Sequence, residues 1–142
     1  MNPILPGDVP TDLVETARAS YQRCCQAPDF FACFYRNFFV TAPHVEPHFA
    51  KTDFKRQHKL LQHAIGLLLS FSTQPATEPT ILRRVADRHM ADDLDVPPDW
   101  YPDFVEALIQ TVSEHDDQYS DAISEAWRTT VAPGIEYMRA RY

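Results

Sequence analysis

Apolar residues recur along this chain at intervals of three and four, the spacing that lines one face of an α-helix. After Thr11, a residue type suited to cap a helix, Val14, Ala17, Tyr21 and Cys24 predict a helix to about Cys25. Pro28 suits the first turn of a second helix. Its apolar face is aromatic: Phe30, Phe31, Phe34, Tyr35, Phe38 and Phe39. The segment Ala42-Pro43-His44-Val45-Glu46-Pro47 breaks that helix and leaves room for one short turn before Phe49. Thr52 and Asp53 then open a long helix with a buried stripe of Phe54, Leu61, Ile65 and Leu68, and Pro75 lies past its end. Thr77 and Pro79 cap a shorter helix to about Met90. Val96-Pro97-Pro98-Asp99 punctuates again before a helix carrying Tyr101, Phe104, Leu108 and Val112. The acidic stretch Glu114 to Asp121 leads into a last helix with Ile123, Trp127, Val131, Ile135 and Met138, which Pro133 is expected to kink. Strict alternation competes nowhere. The pattern predicts an all-α domain over residues 10–142, with about six main helices, after a proline-containing lead-in at 1–9.

Composition narrows the chemistry. The chain has 142 residues, 44% hydrophobic and 12% aromatic, enough for one packed core. Its net charge of -7 argues against nucleic acid, whose binding depends on basic charge. Only three glycines occur, Gly7, Gly66 and Gly134, so a glycine-rich phosphate loop is excluded. The longest apolar run, Ala64 to Leu69, is far too short to span a membrane. The N-terminus lacks the features of a signal peptide. Cys24, Cys25 and Cys33 are an odd number with two adjacent, and they read as reduced thiols in a cytoplasmic protein, with packing the expected role of Cys24 and Cys25.

The informative polar residues fall on apolar faces. Between 79 and 90, Ile81 or Leu82, Val85 and His89 share one side, while Arg83, Arg84, Asp87 and Arg88 fall mainly on the others. A histidine there is either a core residue bonded to a carbonyl or a single imidazole ligand to a metal in an apolar pocket. Neutral imidazole suits iron, and a haem needs only one such protein ligand. Gln57 and His58 precede Leu61 by about one turn, and either side chain can stand beside the same buried stripe. Tyr35 places a phenol on a phenylalanine-rich face, and a buried phenol needs a partner. Separately, each residue has an ordinary structural explanation. Together, a Tyr, a Gln and a His from three helices can surround one small polar ligand.

Three segments carry a resemblance in their order and separation: Phe30-Phe31-Ala32-Cys33-Phe34-Tyr35, then His48-Phe49-Ala50-Lys51-Thr52-Asp53-Phe54-Lys55-Arg56-Gln57, then Arg84-Val85-Ala86-Asp87-Arg88-His89. From about Thr11 to Tyr142 the chain resembles the bacterial single-domain globins, relatives of the haem domain of flavohaemoglobins. That resemblance implies a globin fold enclosing one haem b. It also implies His89 as the proximal iron ligand and Phe49 flat against the porphyrin. Tyr35 and Gln57 match the distal pair that hydrogen-bonds bound dioxygen, and Leu61 the apolar residue limiting access. Val85 lies with His89 on the cofactor side, and Arg88 falls where a cation meets a haem propionate. A register shift of one residue would exchange Gln57 for His58, and both stand as distal candidates.

Some positions depart from the family pattern. Tyr101 matches the family's tyrosine after the proximal histidine, but with about two extra residues between Asp92 and Asp99. Tyr142 occupies the place of the glutamate expected on the last helix, so the resemblance does not carry a proximal push toward oxygen–oxygen cleavage.

The expected function is reversible binding of dioxygen, with CO and NO as further ligands. Three other readings remain: a nitric oxide dioxygenase with a separate reductase, a haem-based gas or redox sensor, and a haem-free helical regulatory domain. Either a monomer or a homodimer is compatible with the chain. Among other histidines, His44 and His48 bracket a turn but lack a third zinc ligand. His63 diverges from His58 around the helix, so solvated positions are expected for both unless His58 takes the distal place, and His115, set among acids, is expected at the surface. Asp92, Asp93, Asp95 and Asp99 read as a solvated loop.

Overall fold

A computed structural model describes residues 9–73 and 99–140. Among these residues, regular structure is entirely helical, as the periodicity predicts. The helices are α1 (Thr11–Cys24), α2 (Phe30–Thr41), a 3-10 helix (Pro43–Phe49), α3 (Phe54–Phe71), α4 (Trp100–His115) and α5 (Asp121–Ala140). The helix expected over 79–90 lies outside the described residues, as do the lead-in at 1–8 and Tyr142.

Some boundaries follow from local chemistry. Asp53 caps α3, its carboxylate accepting from the Lys55 and Arg56 backbone N–H groups at 3.1 and 3.4 Å. Two starts differ from expectation. Thr11 is the first helical residue of α1, preceded by Pro10 at the cap position. The second helix begins at Phe30 with Asp29 at its cap position, so Pro28 belongs to the preceding turn. The break at Ala42–Pro47 holds a 3-10 helix that runs to Phe49. A short, tight helix tolerates prolines that an α-helix interior would not.

Three pairings organise the core. α2 lies against α4, while α1 and α3 both lie against α5. Phe34 meets Phe104 edge-on with ring centres 5.1 Å apart, and Phe38 meets Phe104 and Trp100 the same way. Tyr21 joins α1 to both neighbours: its ring meets Trp127, and its hydroxyl donates to the Gln62 carbonyl at 3.0 Å. α5 runs through Pro133 as one helix, so the proline does not end it. The following Gly134 lies against Leu68 of α3. A Cβ there would stand 2.6 Å from Leu68 Cδ2 and 3.6 Å from Leu68 Cα.

One polar cluster is enclosed by this packing. Asp116, just past α4, is buried, and its carboxylate accepts from Ser20 Oγ at 2.6 Å and from Arg23 Nε and a terminal guanidinium nitrogen at 2.6 and 2.9 Å. The Gln118 backbone N–H adds a bond of 3.0 Å. The Trp127 indole N–H donates to Ser20 Oγ at 2.9 Å, bringing α5 into the same network. Burial by itself raises the Asp116 pKa, but the bonds from Arg23, Ser20 and Gln118 outweigh it and hold the carboxyl below its ordinary value.

The sign of the pH effect follows from that depression. The stabilisation is present above the unfolded carboxylate pKa and is lost as pH falls through the lower folded value. Asp116→Ala is expected to remove roughly 2–4 kcal/mol, because it leaves Ser20 and Arg23 without their acceptor. Urea unfolding midpoints of both chains at neutral pH, and again on acidification, check this. The difference between them should shrink as Asp116 becomes protonated.

Candidate functional site

Tyr35 stands at the centre of an aromatic cluster that three elements assemble. It projects from α2 and is 5% exposed. Phe39 follows one turn later on the same helix, with ring centres 6.0 Å apart. Phe49, at the end of the 3-10 helix, approaches Tyr35 to 5.7 Å and Phe39 to 5.5 Å. From the first turn of α3, Phe54 meets Tyr35 edge-on at 5.5 Å and Phe49 in a near-parallel arrangement at 6.3 Å. The short 3-10 segment thus brings Phe49 back onto the face that α2 and α3 share.

The polar groups sit within that hydrocarbon wall. Burial pushes the Tyr35 phenol up to about 12, and the polar Gln57 side chain beside it acts in the opposite direction. Gln57 is half-buried, one turn before the buried Leu61 on α3. His58 is also half-buried, against the expectation of a solvated ring. It stacks on Tyr35 at 5.8 Å with an interplanar angle of 19°, and its edge reaches Phe54 at 6.1 Å. Both distal candidates therefore flank the same phenol: Gln57 acts on its hydroxyl electrostatically, and His58 covers its ring. His63 faces solvent.

Tyr101 and Trp100 are buried at the start of α4. Burial also pushes Tyr101 up to about 12. His48 packs its ring edge-on against Trp100 at 4.9 Å, a packing role for a turn histidine. His89, Val85 and Arg88 lie outside the described residues, with most of the acidic segment from Asp92. Cys24 is fully buried, and burial pushes its thiol up to about 12, as befits a packing residue.

His115 overturns its expected exposure. Its side chain retains 10% accessibility, because the ring packs edge-on against Phe30 at 5.4 Å. Acidic neighbours in sequence do not decide exposure when the residue ends a helix packed on an aromatic face. No described helix is long and apolar enough to cross a membrane.

The buried phenols set an alkaline limit. A tyrosine whose folded pKa is raised stabilises the fold fully below the unfolded value of about 10 and ceases to do so as pH rises through the folded value. For Tyr35 and Tyr101 this places the loss between about 10 and about 12. Tyr35→Phe is expected to lose less stability than the parent chain between pH 9 and 11 on the scale of those shifts. Urea unfolding at the two pH values is the measurement.

Comparison with known proteins agrees with this architecture. No curated protein matches the sequence. The chain is similar to a solved protein from Pseudomonas aeruginosa PAO1, described as structurally highly homologous to a human haemoglobin. The two share 31% identity over 92% of this chain and 98% of that one, with a TM-score of 0.84. The family model described as Globin matches residues 32–135, a span that runs from α2 into α5. The chain belongs to the globin family.

Proposed function

We propose that this globin holds one haem b and binds dioxygen reversibly, with CO and NO as further ligands of the same site. The observation that carries the reading is the buried Tyr35 phenol, with Gln57 beside it, inside a wall of Phe39, Phe49 and Phe54. A flat apolar macrocycle suits such a wall, and a small polar ligand suits the two donors set within it. The residues fit the group.

When bound, the haem supplies an iron that takes up diatomic ligands and, with dioxygen, leaves partial negative charge on the ligand. The chain's residues then act on that charge. The Tyr35 hydroxyl and the Gln57 amide are both donors, and the surrounding rings keep water out. Fixed donors in a dry pocket act more strongly than mobile water would. With its pKa at about 12, Tyr35 stays protonated and remains a donor throughout the physiological range. Leu61, one turn beyond Gln57 and buried, narrows the space beside the donors. Phe49 offers a ring face to the macrocycle. His89 is assigned as the proximal ligand, with Val85 and Arg88 beside the cofactor, on their spacing and on the family resemblance.

An absorption spectrum of the protein supplied with haem tests the reading, taken ferric, dithionite-reduced and then exposed to CO. A sharp Soret band that shifts at each step supports it. Absence of haem uptake overturns it in favour of a haem-free helical domain. His89→Ala is expected to hold haem loosely or not at all; stoichiometric retention with an unchanged spectrum would remove His89 from its assigned role. Tyr35→Phe is expected to speed dioxygen dissociation at least about tenfold, the effect of roughly 1.4 kcal/mol from one charge-assisted hydrogen bond. A rate within about twofold of the parent would remove Tyr35 from the distal site.

A further inference from the structure

The structure assigns a second metal site, separate from the haem pocket, to Asp29, Cys33 and His115. Cys33 and Tyr35 are two residues apart on α2, so their side chains leave nearly opposite sides of that helix. On the Cys33 side, three ligand types converge where the start of α2 meets the end of α4. Cys33 Sγ lies 3.5 Å from Asp29 Oδ2, and His115 Nε2 lies 3.5 Å from Asp29 Oδ1. One ligand atom from each of the three falls within 4.8 Å of the others.

Two of these spacings are those a small tetrahedral cation requires. Bonds of about 2.3 Å to sulfur and about 2.0–2.2 Å to nitrogen and oxygen put neighbouring ligands roughly 3.4–3.6 Å apart. The two measured contacts have that length but end on different Asp29 oxygens. Rotation of the exposed Asp29 side chain brings one oxygen toward both partners, and the Cys33–His115 edge, within 4.8 Å, closes by adjustment of those two side chains. Two outer contacts prepare the donors. His115 Nδ1 is 2.8 Å from the Thr111 carbonyl oxygen, which can only accept, so Nδ1 carries a hydrogen and Nε2 is the nitrogen turned toward Asp29. Burial and the neighbouring Asp29 hold the Cys33 thiol above its ordinary value in the cation-free protein, while a terminal guanidinium nitrogen of Arg36, donating to Cys33 Sγ at 3.3 Å, acts in the opposite direction.

Burial differs usefully among the three. Cys33 and His115 are largely enclosed, whereas the Asp29 side chain is 66% exposed and leaves a path for entry. One thiolate, one imidazole and one carboxylate match Zn²⁺ better than the hard cations, with the fourth position left for water. On binding, the cation takes the place of the Cys33 thiol proton, which leaves to solvent. Without a cation, the same groups form a hydrogen-bonded cluster between two helix ends.

Equilibrium dialysis of the haem-loaded protein against zinc chloride, with zinc and iron counted separately by mass spectrometry, tests the site. One zinc per chain is expected in addition to the haem iron. Asp29→Asn and Cys33→Ser are each expected to weaken binding by more than about tenfold. The variant carrying His44→Gln and His48→Gln together is expected to bind as the parent does. Because the Asp29 side chain is exposed, Asp29→Asn preserves the fold, and far-UV circular dichroism verifies this for both variants. Should Cys33→Ser fail to fold, Asp29→Asn decides alone. No zinc retained from a micromolar solution, or equal retention by parent and Asp29→Asn, overturns the assignment.

Discussion

A single buried carboxylate ties together parts of this chain that are far apart in sequence. Asp116 follows α4, Ser20 and Arg23 belong to α1, and Trp127 belongs to α5. Each needs the others: the carboxylate would be costly to bury without its donors, and Ser20 must accept from the indole while donating to Asp116. Apolar contact alone would leave helices free to slide past one another, because dispersion and burial are nearly indifferent to small shifts. Directional hydrogen bonds to a charged group are not indifferent. With α1 registered against α5 in this way, Tyr21 reaches both Trp127 and the Gln62 carbonyl of α3, and the register passes to the helix that carries Gln57 and Leu61.

The second organising feature is α2, which faces three environments at once. Phe30, Phe34 and Phe38 enter the core, where Phe34 and Phe38 meet Phe104 of α4. Tyr35 and Phe39 turn toward the 3-10 helix and α3, where the proposed ligand site lies. Cys33 and Asn37 meet the last turns of α4 through Asp29, His115, Thr111 and Glu114. Such division requires aromatic residues at nearly every inward position, which is why the helix is dense in phenylalanine without being uniformly buried.

Much of the architecture was legible in the chain. Periodicity marked the helices, Asp53 announced the start of α3, and the prolines around His44 announced the break that brings Phe49 back. Tyr35 stood out as a phenol on a hydrocarbon face, and its burial bears that reading out. The relation between Gln57 and His58 was not legible. Adjacent residues on a helix point about 100° apart, and only the placement of α3 against α2 decides which meets a hydroxyl and which covers a ring. His115 was misleading for the same reason. In sequence it lies among acids, and nothing local indicates that Phe30 packs over it or that α1 closes over the neighbouring Asp116.

The sequence by itself determined the helical class, the approximate helix boundaries among the described residues, and the family, because these depend on local spacing and on residue order. Tertiary structure decided the partners: the Asp116 network, the stacking of His58 on Tyr35, the approach of Leu68 to Gly134, and the meeting of Asp29, Cys33 and His115. Each of those contacts joins residues from different helices, or fixes one through a neighbour on another. Helical periodicity specifies which face of a helix is buried but not the depth, rotation or register at which another helix meets it. Those quantities emerge only when all the faces are packed together.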